Sequence, residues 1–439
     1  FHGWQGWGLG RGYPYNTFLL SPLAHFSDYS DQARTASLPN PYSDPLAFYL
    51  PFTHVVFRLL AFLPESVDMI GCFFIGLAGL TLLLVKALEN IVENPWQRVA
   101  ASFLLIGLSY PILFCIDRGN IEIILALCVA GGLYFYGRTR YLAGTLWLLP
   151  AICCKVYPAF FLILLLRQRK GAVVFAAFAG FVIITMLSVS SFAASPGAVW
   201  NLYRRDMVFF TQSHVYENAS MEESASPWNV YKIGLIAAGD AGFIQPVNFD
   251  FDGPLIRVSY AVYSGCVLAF AAFLAGYVCF VEKEFYRCAV LFLLFISMAV
   301  PSGSDYRLLY ACIALALLVQ IKSRRPGDIL VLALISFAII PKKMIFLSFL
   351  GNSEIGYPDI SIQVILNPLC ILAAMALLLR DGCGKYDPDW TKLRIRRFFQ
   401  LRPLRRPQNQ ASPPDKKEAG SFGEMGLKPA QEISRLSPP

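Results

Sequence analysis

The sequence predicts an all-α polytopic membrane protein, and three observations carry that prediction. Of the 439 residues, 56% are hydrophobic and 15% are charged, against about 25% charged in a soluble globular chain. The deficit lies in continuous apolar runs near the ~20 residues that a spanning helix needs. The basic residues fall between those runs and in the tail, the usual signature of topology. Continuous rather than alternating runs exclude a transmembrane β-barrel. The composition also excludes an anchored soluble enzyme, a disulfide mini-protein and a disordered scaffold. Topology accounts for the net charge of +8, which gives no reason to expect a nucleic-acid partner.

In chain order, residues 1–66 form a first outer segment rich in Gly, Pro, Tyr and Trp. The chain opens on Phe1 rather than Met, and a first spanning helix is expected upstream of it. Residues 46–63 are apolar but carry His54 and Arg58, the pattern of an interfacial helix, with a crossing as the alternative. Spans are predicted at 67–88, 97–116, 119–137, 171–193, 256–281, 285–300, 305–321, 328–340 and 359–379, about nine in a bundle covering 67–380. Residues 141–166 are apolar but interrupted by Pro150, Lys155 and Pro158, which predicts two short helices that enter and return. A second long outer segment covers 194–255. The tail, 381–439, is rich in Pro, Arg, Lys and Ser, and is expected to be a basic, disordered cytoplasmic extension near anionic lipid. No internal repeat is visible.

Arg380, Lys385, Lys392, Arg394, Arg396 and Arg397 place the tail in the cytoplasm by the positive-inside rule. Counting backwards puts Arg324/Arg325, Lys283/Arg287, Arg167/Lys170, Arg138/Arg140 and Lys86/Arg98 on that same side, provided 141–166 returns to the side it entered from. The other face then holds 1–66, 194–255 and the turns at 117–120, 155–158, 302–307 and 341–358. The expected location is the plasma or inner membrane, with the active face outward. None of the 11 cysteines falls in the two outer segments, so neither has a disulfide framework. No CxxC pair or His/Cys cluster points to zinc.

The residues able to carry chemistry fall on that outer face. Asp28 and Asp31 lie in Phe26-Ser27-Asp28-Tyr29-Ser30-Asp31, within a Pro-rich loop. They belong either to a solvated loop or to a surface-held carboxylate able to act as a general base. Asp117-Arg118-Gly119-Asn120-Ile121-Glu122 puts three ionisable residues in a short turn between spans, either a salt-bridged turn or a site facing the bundle. Lys155 interrupts an apolar run before Tyr157, either snorkelling to headgroups or facing a phosphate. Asp305 and Arg307 sit at a helix mouth, as a local cap or with Arg307 forking a phosphate oxygen. The second outer segment adds Arg204, Arg205, His214, Glu217 and a weak sequon, Asn218-Ala219-Ser220. Carboxylates with spaced cations at a membrane surface suit transfer chemistry on a phosphorylated lipid. There is no P-loop or Gly-rich nucleotide fingerprint. A transporter or flippase of a lipid-linked or anionic substrate, or a surface-glycan polymerase or ligase, are the alternatives. A transporter should often show internal repeats and midplane binding residues.

The order and spacing of these motifs resemble the polytopic C-type glycosyltransferases, and glycosyltransferase family 87 above all. The resemblance rests on Phe26-Ser27-Asp28-Tyr29, Asn40-Pro41-Tyr42, Tyr49-Leu50-Pro51-Phe52, Asp117 to Glu122, Lys155-Val156-Tyr157-Pro158 and Ser304-Asp305-Tyr306-Arg307-Leu308. The motif usually written Tyr-Pro-Pro reads Tyr49-Leu50-Pro51 here. The resemblance implies a GT-C-like transmembrane bundle and an inverting hexosyltransferase of the polyprenyl-phosphate-dependent mannosyltransferase type, working on the outer leaflet. It also implies a lipid or glycan acceptor, no cofactor, and no metal for a monophosphate donor. By the same resemblance Asp28 is the base, with Asp31 as runner-up. Lys155, Arg118 and Arg307 become donor-phosphate ligands. Asn120, Glu122, Asp117, Tyr157, Asp305 and His214 become sugar, acceptor or structural contacts.

Overall fold

A computed structural model describes residues 26–61, 65–90, 92–217, 224–243, 253–303, 305–320, 325–340, 342, 346–347, 360–384, 389 and 391. Residues 1–25, the sequon, Ser304, most of 341–359 and the tail beyond 384, save Asp389 and Thr391, lie outside the described residues. Among the described residues the chain is helical, with one two-residue antiparallel pairing of Phe346–Leu347 with Ile360–Ser361.

The first helices are α1 (Ser27–Ser37) and α2 (Pro51–Leu60), joined through a 3-10 turn at Pro41–Ser43. Then come α3 (Glu65–Ala87), α4 (Pro95–Leu108), α5 (Tyr110–Arg118) and α6 (Glu122–Gly137). The interrupted stretch forms α7 (Tyr141–Cys154), a 3-10 turn at Tyr157–Leu162 and α8 (Ile163–Arg167). After α9 (Gly171–Ser190), the second long segment forms α10 (Pro196–Phe210), a π-helical turn at Thr211–Tyr216 and α11 (Pro227–Asp240). The bundle closes with α12 (Pro254–Phe280), α13 (Phe285–Met298), α14 (Leu309–Val319), α15 (Asp328–Ile339) and α16 (Gln363–Cys383).

Every predicted span is met by a helix, and two local expectations need correction. Residues 97–116 are not one straight crossing, since α4 and α5 meet at a 72° bend. Pro111 cannot donate back to the preceding turn and its ring collides with it, so α4 stops and Ser109 turns extended. Pro111 then sits in the first turn of α5, where no intrahelical N–H partner is needed. Conversely, Pro150 does not interrupt α7, and the chain leaves the helix only at the extended Lys155. By length and composition, α9, α12 and α16 are each able to cross a membrane, and the α4–α5 pair is so together.

The core is built around α13, which is buried from Arg287 to Met298. The perimeter is apolar instead. Phe175, Phe178, Ile183 and Leu187 of α9 and Val258, Val262 and Leu268 of α12 are exposed. Such a surface is a liability in water and suits hydrocarbon. Helices α6 and α7 approach closely, since a Cβ at Gly144 would come 2.8 Å from the Gly132 carbonyl and collide with the Tyr136 ring.

The turns separate to two ends. At the first end, the Phe26 amide donates to the Asp117 carbonyl at 2.8 Å and Thr53 Oγ1 donates to the Cys154 carbonyl at 3.1 Å. At the second end, Arg167 donates to the carbonyls of Glu282 and Lys283, Arg325 pairs with Glu282 at 2.8 Å, and Arg287 bonds Asp328 at 2.7 Å. Asp381 accepts from the Gly327 amide there, and Gly137 packs against the Tyr286 hydroxyl. Both ends of the stretch from Tyr141 to Arg167 therefore lie at the second end, while its Lys155 corner reaches the first.

Candidate active site

The site is assembled by the turn between α5 and α6. Gly119, at φ +61°, ends α5 in a Schellman motif, with its amide on the Ile116 carbonyl and the Asn120 amide on the Cys115 carbonyl, both at 3.0 Å. A Cβ at Gly119 would meet Phe26 Cδ1 at 2.7 Å and Tyr29 Cβ at 2.9 Å. The bare glycine thus lets α1 lie directly on the turn. Asn120 then faces two ways. Its Oδ1 accepts from the Glu122 amide at 3.0 Å, and its Nδ2 donates to Asp28 Oδ2 at 2.7 Å. Arg118 Nε lies 3.8 Å from Asp28 Oδ1.

Asp28 is a quarter exposed at its side chain. Burial pushes its carboxyl above the ordinary aspartate value, while the Arg118 guanidinium and the Asn120 amide pull it part of the way back. Asp31 is more than half exposed and lies 3.9 Å from Arg34, so it has none of the fixed partners that Asp28 has.

Behind this pair stands Glu122, fully buried, its carboxylate met by three hydrogen-bond donors and a more distant guanidinium. Its Oε1 is 2.6 Å from Lys155 Nζ and 3.9 Å from Arg307 Nε. Its Oε2 accepts from the Tyr310 hydroxyl at 2.9 Å and from the Tyr157 hydroxyl. The Lys155 ammonium also faces the rings of Tyr49 and Tyr306, 5.0 and 5.8 Å from their centroids. The Arg307 guanidinium lies 5.2 Å over the Tyr157 ring. Arg307 Nε and Nη1 are buried with no hydrogen-bond partner among the described residues. Two cations share one carboxylate, so a single positive charge is left uncompensated at this point.

A cavity of about 540 Å³ joins these groups. Asp28 and Asp31 line it from α1, Lys155 and Tyr157 from the α7 corner, and Arg307 from the turn before α14. Part of the remaining wall is aromatic. Phe48 lies 4.4 Å from Phe210, and His214 is stacked 4.5 Å from Phe210. The π-helical turn carries His214 to this position, and such turns are frequent at functional sites. Burial lowers the His214 imidazole below its ordinary value.

Of the sequence-derived candidates, Asp28, Asp31, Lys155, Tyr157, Arg307 and His214 line the cavity. Arg118 and Asn120 reach it through Asp28, and Glu122 through Lys155. Asp117 is buried and lies outside the lining, with its carbonyl taken by Phe26. Asp305 is also buried and apart from it, bonded by the Gln363 amide of α16. Sequence reasoning missed Tyr310 and the platform of Phe48 and Phe210. For Tyr310 the signal was its spacing of four from Tyr306, which puts both on one face of a helix. It also missed the anchor of the second segment, where Ser224 and Ser226 hydroxyls donate to the Pro301 carbonyl at 3.2 and 2.9 Å. Among the described residues no three His, Cys, Asp or Glu side chains converge as metal ligands.

The family model that matches the chain is that of Glycosyltransferase family 87, over residues 47–303. Nothing matches among curated proteins or solved structures. Asn120, Glu122, Lys155, Tyr157 and His214 fall within the matched stretch, and the fold brings Asp28 and Arg307 to them from either side of it. That stretch is more than half of the sequence, so the chain belongs to glycosyltransferase family 87 and is a membrane glycosyltransferase.

Proposed function

We propose that the protein transfers a hexose, mannose by its resemblance, from a polyprenyl-phosphate donor to a glycan or glycolipid acceptor at the outer leaflet, with inversion at the sugar. One observation supports this reading above the rest. A carboxylate on one wall of a single cavity faces a cationic pair with one surplus positive charge on another.

In the proposed step Asp28 takes the proton of an acceptor hydroxyl. The acceptor oxygen attacks the anomeric carbon from the face opposite the phosphate. The bond from that carbon to the phosphate oxygen breaks, and its electron pair leaves with the polyprenyl phosphate. Lys155 and Arg307 stabilise the charge that grows on the leaving phosphate, in a site shielded from bulk water. Glu122 holds both cations in place, so little reorganisation accompanies the reaction. Asn120 and Arg118 orient the Asp28 carboxylate, and the wall of Phe48, Phe210 and His214 takes the acceptor. The step uses the chain's own cations and no metal ion.

The test is transfer in liposomes holding the full chain, with a panel of radiolabelled polyprenyl-phosphate sugars and with glycan and lipid acceptors. Asp28→Asn should lower transfer by about 10²–10⁴-fold, the scale of a lost general base, while donor still binds. Wild-type-like transfer by that variant removes Asp28 as the base. Failure of the wild type with every polyprenyl-phosphate donor overturns the donor class.

A further inference from the structure

A second cavity, of about 270 Å³, opens at the second end of the bundle, between α3, α6 and α14. Its interior is apolar, with Leu80, Leu133 and Ile313 among the walls. Its mouth is charged. Lys86 pairs with Glu89, both about half exposed, and Arg138 lies 4.6 Å over the Tyr134 ring. Lys86, Arg138 and Glu89 all line the cavity, so two cations face one anion at the rim. An apolar slot under a positive rim, in the wall of a membrane bundle, matches an anion that carries a hydrocarbon chain. The cavity of Asp28 and Lys155 lies at the opposite end of the bundle, so an occupant here comes from the other leaflet.

We propose that this cavity binds one anionic glycerophospholipid, with its phosphate against Arg138 and Lys86 and an acyl chain between α3 and α14. The site stands apart from the transfer chemistry and does not depend on it.

The experiment uses the purified full chain, titrated in detergent with dioleoyl phosphatidylglycerol or dioleoyl phosphatidylcholine and read by native mass spectrometry and thermal unfolding. Phosphatidylglycerol should saturate one site and raise the Tm at lower concentration than phosphatidylcholine. Arg138→Gln should raise its half-saturating concentration about fivefold, the worth of one cation near a lipid surface. Ala316→Trp, which fills the slot, should abolish the bound lipid. Should Ala316→Trp not fold, Arg138→Gln and the comparison of the two lipids decide the matter. Equal binding of both lipids, or wild-type half-saturation in Arg138→Gln, overturns the proposal. So does displacement of phosphatidylglycerol by a lower concentration of polyprenyl phosphate, which would make the occupant a polyprenyl lipid.

Discussion

Lys155 and Glu122, 33 residues apart in the sequence, are held 2.6 Å apart where the α7 corner meets the start of α6. The pair is buried, with Glu122 fully enclosed and Lys155 about one-eighth exposed. Neither charge is stable there alone. Removing one partner of a buried pair costs about 3–5 kcal/mol, because it strands the other. Glu122→Gln leaves Lys155 and Arg307 facing each other without a counter-charge, and should destabilise the protein on that scale. Adding Lys155→Met to it should recover part of the loss. A double-mutant cycle by thermal unfolding measures this, and additive losses would mean that the pair is not coupled.

Asp28 supplies a pH dependence. Its carboxyl lies above the ordinary aspartate value because burial outweighs Arg118 and Asn120. A base must be deprotonated, so transfer should fall on the acid side at a pH above the usual aspartate range. The Asn120 hydrogen bond lowers that value, so Asn120→Ala should move the acid limb of the rate profile to higher pH. The stability effect has the opposite sense. A carboxyl raised by folding favours its protonated form, so its contribution to stability is lost as pH rises from the ordinary value through the raised one. An acid limb in Asn120→Ala unchanged from wild type would detach Asn120 from the ionisation of the base.

Arg307 has two buried N–H donors with no hydrogen-bond partner among the described residues. Under the proposed reaction those donors face the donor phosphate, so Arg307→Lys, which keeps the charge and loses the fork, should still impair transfer. A loss of about 10²-fold in kcat/KM for the donor is expected, the lower end of what one oxyanion donor supplies. Full activity in Arg307→Lys would reduce its role to that of a point charge.

Gly119 is the hinge on which α1 rests. Gly119→Ala imposes a left-handed backbone on alanine, at about 1–2 kcal/mol, and its Cβ would press on Phe26 and Tyr29. Tyr29 is next to Asp28, so transfer should fall further than the loss in Tm accounts for. Comparing the specific activity of the folded fraction with the unfolding curve separates the two effects. Equal losses would confine Gly119 to stability.

The apolar helices were legible because hydropathy alone marks a helix that must satisfy its own backbone in hydrocarbon. Lys155 was legible because an ammonium in an apolar run needs a reason. The bend at Ser109 was missed, although Pro111 is the residue that forces it. Its breaking effect is local, and hydropathy averages over it. Pro150 misled in the other direction, since α7 continues through it. Asp305 and Arg307 looked like one site, but they sit two apart in a 3-10 turn of about three residues per turn and so point to different sides. Glu122 was recognised as unusual, while the four groups around it come from two stretches of chain far from it in sequence, 155–157 and 307–310, and no local pattern announces them.

The bend between α4 and α5 acts as a universal joint. Beyond it α5 is buried from Tyr110 to Ile112 and from Phe114 to Arg118, whereas α4 exposes Phe103, Leu104, Leu105 and Leu108. Inserting or deleting one residue in a straight helix turns everything after it by about 100°. Here that rotation would stop at Ser109. The length of α4 can drift to match membrane thickness without turning Arg118 and Asn120 away from Asp28.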